Sequence, residues 1–190
     1  MQIISKQFFD KLCSLNLNIG FYGGSFNPFH YGHYNIILNS IASLNLDCII
    51  LLVAYSSATK KYNKTAKQRA DDILIEIEKI IQKFSQIKPK IYISNIEEEL
   101  QYSYSYLIAK YISSKSNIKR YFIIGADCLI NLHKWEYCDI ISFYMNLVVF
   151  DRPDWTYKAI KCQSINKIYS FYKIKYNYVS STDIRNFQSK

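Results

Sequence analysis

With 190 residues, 49% of them hydrophobic and 21% charged, the chain has the make-up of one globular domain over 1–190 with a substantial core. No run approaches the roughly 20 unbroken apolar residues of a membrane helix, and Lys6, Asp10 and Lys11 interrupt any secretion signal, so the expected address is cytoplasmic with no membrane partner. A net charge of +9 favours an anionic partner, nucleotide or nucleic acid, although a general richness in Lys, Asn, Ile and Tyr also makes a chain basic without any basic site.

The first 17 residues are predicted as a helical extension, with the helix over 3–15. A short buried strand at 19–22 precedes a helix over 30–44, apolar at Ile36, Ile37, Ile41 and Leu44. The unbroken apolar run 48–54 marks a central parallel strand. A lysine-rich loop over 56–67 leads to a helix over 68–84, and Pro89 marks the gap before a strand at 91–94. A helix over 105–114 and a strand at 121–124 ending in Gly125 come next, then short helical pieces over 128–141. A strand at 147–150 stops at Arg152-Pro153, and a strand at 168–174 and a final helix from Thr182 complete the chain. Alternating strands and helices predict a Rossmann-like three-layer α/β/α fold with a mostly parallel sheet. Ligands of such sheets bind beyond the carboxyl ends of the strands, here the segments after Tyr22, Ala54, Ser94, Ile124 and Phe150. The five scattered cysteines (Cys13, Cys48, Cys128, Cys138, Cys162) include no CxxC pair, which argues against disulfides and a zinc site.

Four of the five glycines lie between positions 20 and 32, and the fifth, Gly125, ends another predicted strand. Glycine is needed where the backbone takes positive φ or approaches a ligand closely. After the first of these strands the chain reads Gly23-Gly24-Ser25-Phe26-Asn27-Pro28-Phe29-His30-Tyr31-Gly32-His33. Gly23 and Gly24 are expected to make a sharp turn with exposed N–H groups. His30 and His33, three apart at a helix start, share one side. Unpaired N–H groups and the positive dipole end of that helix favour an anion, and Gly32 is expected to leave room for a phosphate between the imidazoles. A lone histidine is more often structural. Two of only three, beside four of five glycines at a strand-to-helix turn, point to a polyphosphate cradle.

This run resembles the GG-x-F-D-P-x-H-x-G-H motif of the nucleotidyltransferase superfamily, with Asn27 in the Asp position. Ser180-Ser181-Thr182-Asp183-Ile184-Arg185 resembles its second motif, S-S-T-x-I-R. The resemblance implies that Ser181, Thr182 and the following helix N-terminus hold ATP phosphates and that Arg185 pairs with them. Ser and Thr are good helix caps and Arg makes bidentate phosphate contacts, which agrees. The motif turn near the front and Arg185 near the tail are expected to converge on one triphosphate.

Phe122-Ile123-Ile124-Gly125-Ala126-Asp127-Cys128-Leu129, then Trp135, resembles the F-I-I-G-x-D-x-L…W block of nicotinate mononucleotide adenylyltransferases, and Val148 through Pro153 resembles that family's next strand and R-P step. The resemblance implies that Trp135 stacks on the pyridine ring and that Gly125 and Asp127 contact the nucleotide. A core Trp and a helix-capping Asp are the alternatives. Tyr102-Ser103-Tyr104-Ser105-Tyr106-Leu107 is a degenerate match to S-Y-T-x-x-T-L. Its two registers set either Tyr102 with Ser103 or Tyr104 with Ser105 beside the ring, so Ser103 and Tyr104 are both candidates. Where the family carries a P-P-H-K-like loop, this chain has Ser57-Ala58-Thr59-Lys60-Lys61. Lys60 or Lys61 is the candidate positive charge there, with Lys64, Lys67 and Arg69 expected on a solvated face.

The implied reaction joins ATP to nicotinate mononucleotide, giving deamido-NAD and pyrophosphate in NAD biosynthesis, with Mg²⁺ bound chiefly by ATP. His33, His30 and Arg185 are the expected catalytic residues, and Gly23, Gly24, Ser25 and Phe26 the expected phosphate contacts. The rival substrates are nicotinamide mononucleotide, phosphopantetheine, and phosphocholine or glycerol phosphate with CTP. The block from Gly125 to Trp135 argues against phosphopantetheine and the CTP-linked substrates. A basic nucleic-acid-binding module is the non-enzymatic rival, and the 18 tyrosines spread through apolar segments disfavour it. A homo-oligomer is compatible with the sequence.

Overall fold

A computed structural model of the chain describes residues 1–56, 61–84, 90–118, 120–151 and 169–172. Its strands are β1 (Gln2–Ile3), β2 (Ile19–Gly24), β3 (Cys48–Val53), β4 (Ile91–Ser94), β5 (Tyr121–Gly125), β6 (Asn146–Phe150) and β7 (Tyr169–Tyr172). The helices are α1 (Lys6–Ser14), α2 (Tyr31–Leu44), α3 (Ala66–Phe84), α4 (Ile96–Glu99), α5 (Ser105–Ser113), α6 (Ala126–Ile130) and α7 (Cys138–Tyr144), with a 3₁₀ turn at Leu132–Lys134.

The strands form one sheet in the order β1-β4-β3-β2-β5-β6-β7, and every pairing is parallel. Setting aside the edge strand β1, the order is third, second, first, fourth, fifth, sixth. That is the doubly wound arrangement, whose direction of winding reverses between β2 and β5. Side-chain alternation divides the core in two. Phe21, Ile50, Leu52, Phe122 and Val149 face a layer built from α1, α5, α6 and α7. Tyr22, Ile49, Leu51, Ile123 and Val148 face α2 and α3. β3 is buried along its whole length, as its apolar run predicts.

The boundaries follow local chemistry. Ser5 caps α1, its Oγ accepting from the Phe8 N–H at 3.3 Å. Asn45, left-handed at φ 49°, ends α2. α3 starts two residues earlier than predicted because Thr65 and Gln68 form a capping box: Thr65 Oγ1 accepts from the Gln68 N–H (3.1 Å), and Gln68 Oε1 accepts from the Thr65 N–H (2.9 Å). The N-terminal segment is more than a helical extension, since Gln2–Ile3 adds a strand beside β4. Arg120, buried just before β5, donates to the carbonyls of Leu15 (2.6 Å) and Leu17, tying the end of α1 to the sheet. Among the described residues no helix is long and apolar enough to cross a membrane.

Candidate active site

The winding reverses between β2 and β5, and ligands of doubly wound sheets bind beyond the carboxyl ends of the strands at that point. Tyr22 pairs with Ile123, and carrying that register two residues further brings Gly24 level with Gly125. Both glycine-ended strands therefore meet at the switch point.

β2 continues through Gly24, which pairs with Val53, so the chain turns after the glycines and not at them. No described glycine has positive φ; the strained residue is Phe26, at φ 46°. The glycines serve close packing. A Cβ on Gly24 would lie 2.9 Å from two atoms of the Phe26 ring, and one on Gly23 would lie 3.1 Å from Phe122. Phe26 is buried edge-on to Tyr22 and His33, with ring centroids 5.2 Å away in each case, and beside Phe29 at 5.9 Å. The Asn27–Pro28 peptide is cis.

His30 and His33 cap α2 reciprocally. His30 Nδ1 accepts from the Gly32 N–H at 3.0 Å, and His33 Nδ1 accepts from the His30 N–H at 3.2 Å. An imidazole nitrogen that accepts carries no proton, so both rings hold theirs on Nε2. The His33 N–H donates to the His30 carbonyl at 2.9 Å. Two expectations change as a result. The helix does not offer the N–H groups of Gly32 and His33 to an anion, because the cap consumes them; the imidazoles replace them with Nε2–H donors. Nor does Gly32 leave a gap between the imidazoles, which stack with centroids 3.8 Å apart. Both side chains are buried.

Arg69, expected on a solvated face, is buried instead. It donates from Nη1 to the Ser25 carbonyl (2.8 Å), from Nη2 to the Ala54 carbonyl (2.5 Å) and from Nε to the Lys64 carbonyl (3.4 Å), and Tyr62 covers its guanidinium at 4.1 Å. Burial lowers its pKa, opposed by Tyr62, Glu98 and Glu97. Glu97, also buried, accepts from the Tyr55 N–H at 3.1 Å. Burial pushes its carboxyl up to about 7, against the pull of that N–H and of Arg69. Glu98 accepts from the N–H groups of Ala66 and Lys67, both at 3.0 Å, and so caps α3 from another segment. These three residues wire the loops beyond β2, β3 and β4 together. Arg69 had one sequence signal: three residues after Ala66 and four before Ile73, it lies on the buried stripe of α3.

At the end of β5, Gly125 caps α6 at φ −82°, and Asp127 lies half-buried in its first turn. Trp135 follows the 3₁₀ turn, half-buried against the α1 and α5–α7 layer of the core. The two registers of 102–107 separate in space. Tyr102 packs on the core, whereas Tyr104 is 46% exposed and lies 6.2 Å from Tyr106, which meets Tyr137 edge-on at 5.0 Å. The Tyr106–Tyr137 contact brings Tyr104 and Ser105 to the segment carrying Trp135. Ser103 is exposed, and its carbonyl accepts from Ser56 Oγ at 3.1 Å. Lys61 is exposed, Lys64 pairs with Asp72 at 2.7 Å, and Lys67 is exposed at the start of α3. Lys60, Cys162, Ser181, Thr182, Arg185 and the predicted final helix lie outside the described residues.

A doubly wound parallel sheet with a packed glycine-ended strand and paired imidazoles at its switch point defines a nucleotide-binding α/β protein. The cytidylyltransferase-like family model matches residues 21–187, a span that includes both motif segments. A probable nicotinate-nucleotide adenylyltransferase of Clostridium botulinum (strain Eklund 17B / Type B) is 34% identical over 175 residues, covering 87% of this chain and 83% of the relative. One from Pelagibacter ubique (strain HTCC1062) is 33% identical over 171 residues, covering 88% and 91%. The solved Plasmodium falciparum nicotinic acid mononucleotide adenylyltransferase, complexed with APC, shares the fold, with a TM-score of 0.64, 22% identity and coverage of 90% and 84%. The chain therefore belongs to the nicotinate-nucleotide adenylyltransferase family, within the cytidylyltransferase-like nucleotidyltransferases.

Proposed function

We propose that the chain joins ATP to nicotinate mononucleotide, forming deamido-NAD and pyrophosphate. The 5′-phosphate of the mononucleotide attacks the α-phosphorus of ATP in line, and pyrophosphate leaves. The attacking oxygen is already anionic, so no protein base or nucleophile is required. The protein positions the two phosphates and stabilises charge that grows on the α- and leaving phosphates.

The observation that carries this assignment is the reciprocal cap, which holds two Nε2–H imidazoles at the start of a helix directly after β2. Such donors suit phosphate oxygens and need no reorganisation as charge develops. Gly23, Gly24, Ser25 and Phe26 are assigned to the phosphates from the same turn. Ser181, Thr182 and Arg185 are assigned there by their motif. Asp127 suits the ribose hydroxyls, Trp135 the pyridine ring, and Tyr104 with Ser105 the ring's other side. The described donors here are imidazole and backbone N–H groups, and the described residues hold no cluster of three or more His, Cys, Asp or Glu fit for a metal. Mg²⁺ is assigned to ATP itself, where it would neutralise phosphate charge.

The test is pyrophosphate release by the purified protein with MgATP and, side by side, nicotinate mononucleotide, nicotinamide mononucleotide or phosphopantetheine. The acid mononucleotide should have the highest kcat/KM. His33→Ala should lower kcat about 100-fold or more with the fold intact. Faster turnover of another substrate, or near-normal turnover by the variant, overturns the assignment.

A further inference from the structure

Arg69 is a buried cation that the proposed reaction does not use, and its partners say what it is for. It reaches the carbonyls of Ser25, beyond β2, and Ala54, beyond β3. A trans peptide carries its C=O and N–H on opposite sides. Holding the Ser25 carbonyl therefore turns the Phe26 N–H away from Arg69 and α3. The same rule is visible at the second partner: with the Ala54 carbonyl held, the Tyr55 N–H points away and is received by Glu97 at 3.1 Å. None of the described residues accepts a hydrogen bond from the Phe26 N–H, although Phe26 itself is 2% exposed. Phe26 also has positive φ, a conformation a bulky residue keeps only where its surroundings enforce it.

We propose that Arg69 is a positioning residue for nucleotide binding: by gripping the Ser25 carbonyl it sets the Ser25–Phe26 peptide so that the Phe26 N–H is presented to the ATP phosphates. Its fork geometry matters, because one guanidinium spans two carbonyls just beyond different strands, which a single ammonium does not. The stacked Tyr62 and the Lys64 carbonyl hold that fork in plane. The guanidinium donates to the carbonyls of Ser25, Ala54 and Lys64 and to none in the segment of Trp135 and Tyr104, so its loss should be felt first by ATP.

The inference rests on the adenylyltransferase assignment, and the experiment separates the two. Arg69→Met and Arg69→Lys are compared with wild type in steady-state kinetics for each substrate, and in the shift of Tm on adding MgATP alone. Arg69→Met should raise KM for ATP tenfold or more and abolish most of the MgATP-induced shift, with KM for the mononucleotide within about twofold of wild type. Arg69→Lys, which keeps one donor and the charge, should recover part of the ATP affinity and serves if the Met variant does not fold. Equal losses for both substrates, or an unchanged KM for ATP in either variant, overturn the positioning role. A wild-type protein that binds MgATP but makes no dinucleotide sinks the activity alone, and the MgATP shift in the variants then still decides the role of Arg69.

Discussion

Gly24→Ala isolates what the second motif glycine contributes. Because Gly24 does not have positive φ, alanine meets no backbone penalty there, and the effect is steric. The new methyl would sit 2.9 Å from Cε1 and Cζ of Phe26 and 3.2 Å from Cε2, closer than side chains tolerate. The ring has little freedom to retreat, since Tyr22, Phe29 and His33 surround it. Overpacking of this kind costs about 1–3 kcal/mol, while alanine's smaller unfolded-state entropy returns about 0.4–1 kcal/mol. A net loss of about 1–2 kcal/mol in a chain of this size lowers Tm by about 2–8 °C. The His33 ring stands against the edge of Phe26, so turnover should fall at least about tenfold at 25 °C, where the variant remains folded. Calorimetry and steady-state kinetics on one preparation read both effects. A Tm within 1 °C of wild type together with unchanged kcat refutes the claim that this glycine exists to admit the Phe26 ring.

Glu97 links stability to pH, with a sign opposite to that of an ordinary paired carboxylate. Its carboxyl ionises near 4.5 when exposed and near 7 in the fold, so between those values the native state holds the extra proton. Stability should fall as pH rises through about 5 to 7 and level off above. Glu97→Gln should flatten that part of the curve, and identical Tm-against-pH profiles for the two proteins would contradict the assignment. Trp135→Ala should raise KM for the mononucleotide about tenfold with KM for ATP unchanged; an unaltered mononucleotide KM in initial-rate assays leaves Trp135 a packing residue only. His30→Asn separates capping from catalysis, because Asn caps a helix well but has no imidazole N–H. Its Tm should stay within about 3 °C while kcat drops about 100-fold, and retained activity in the same assay would count against His30 as a phosphate donor.

Much of this fold was legible because its strands are buried on both faces. The run from Ile49 to Val53 needs no partner to declare itself, and Gly125 marks the end of β5 as clearly as the motif glycines mark β2. Two short elements escaped, since β1 (Gln2–Ile3) and α4 (Ile96–Glu99) carry no apolar run or period to read. The early start of α3 was written in the Thr65 and Gln68 pair, a capping box that a helix started at Gln68 passes over. The Gly-His segment revealed which residues gather at the switch point but not how. Glycine at a strand end predicts a turn, yet here the tertiary demand for space under Phe26 explains Gly24, and the turn falls to Phe26. Arg69 was hardest to read, because a charge is normally outside; only its place on the apolar stripe of α3 hinted otherwise.

The polar residues behind the motif turn share one principle. A parallel sheet ends with its backbone groups cut off at the rim, the same rim where a ligand must bind, so they need partners that leave the ligand's side open. Arg69 satisfies the carbonyls of Ser25 and Ala54, Glu97 satisfies the N–H of Tyr55, and Glu98 satisfies those of Ala66 and Lys67. On the helix side the imidazoles do likewise: they accept the donors that α2 leaves over and keep Nε2–H donors of their own. The groups beyond β2 and β3 and at the start of α3 are thereby tied by side chains from other segments, and those at the start of α2 by its own imidazoles. Simple caps such as Ser or Asp at position 30 would stabilise the helix equally but offer a phosphate no imidazole donor. Histidine at both positions does both tasks at once, and this is the physical reason the cap and the candidate phosphate site coincide.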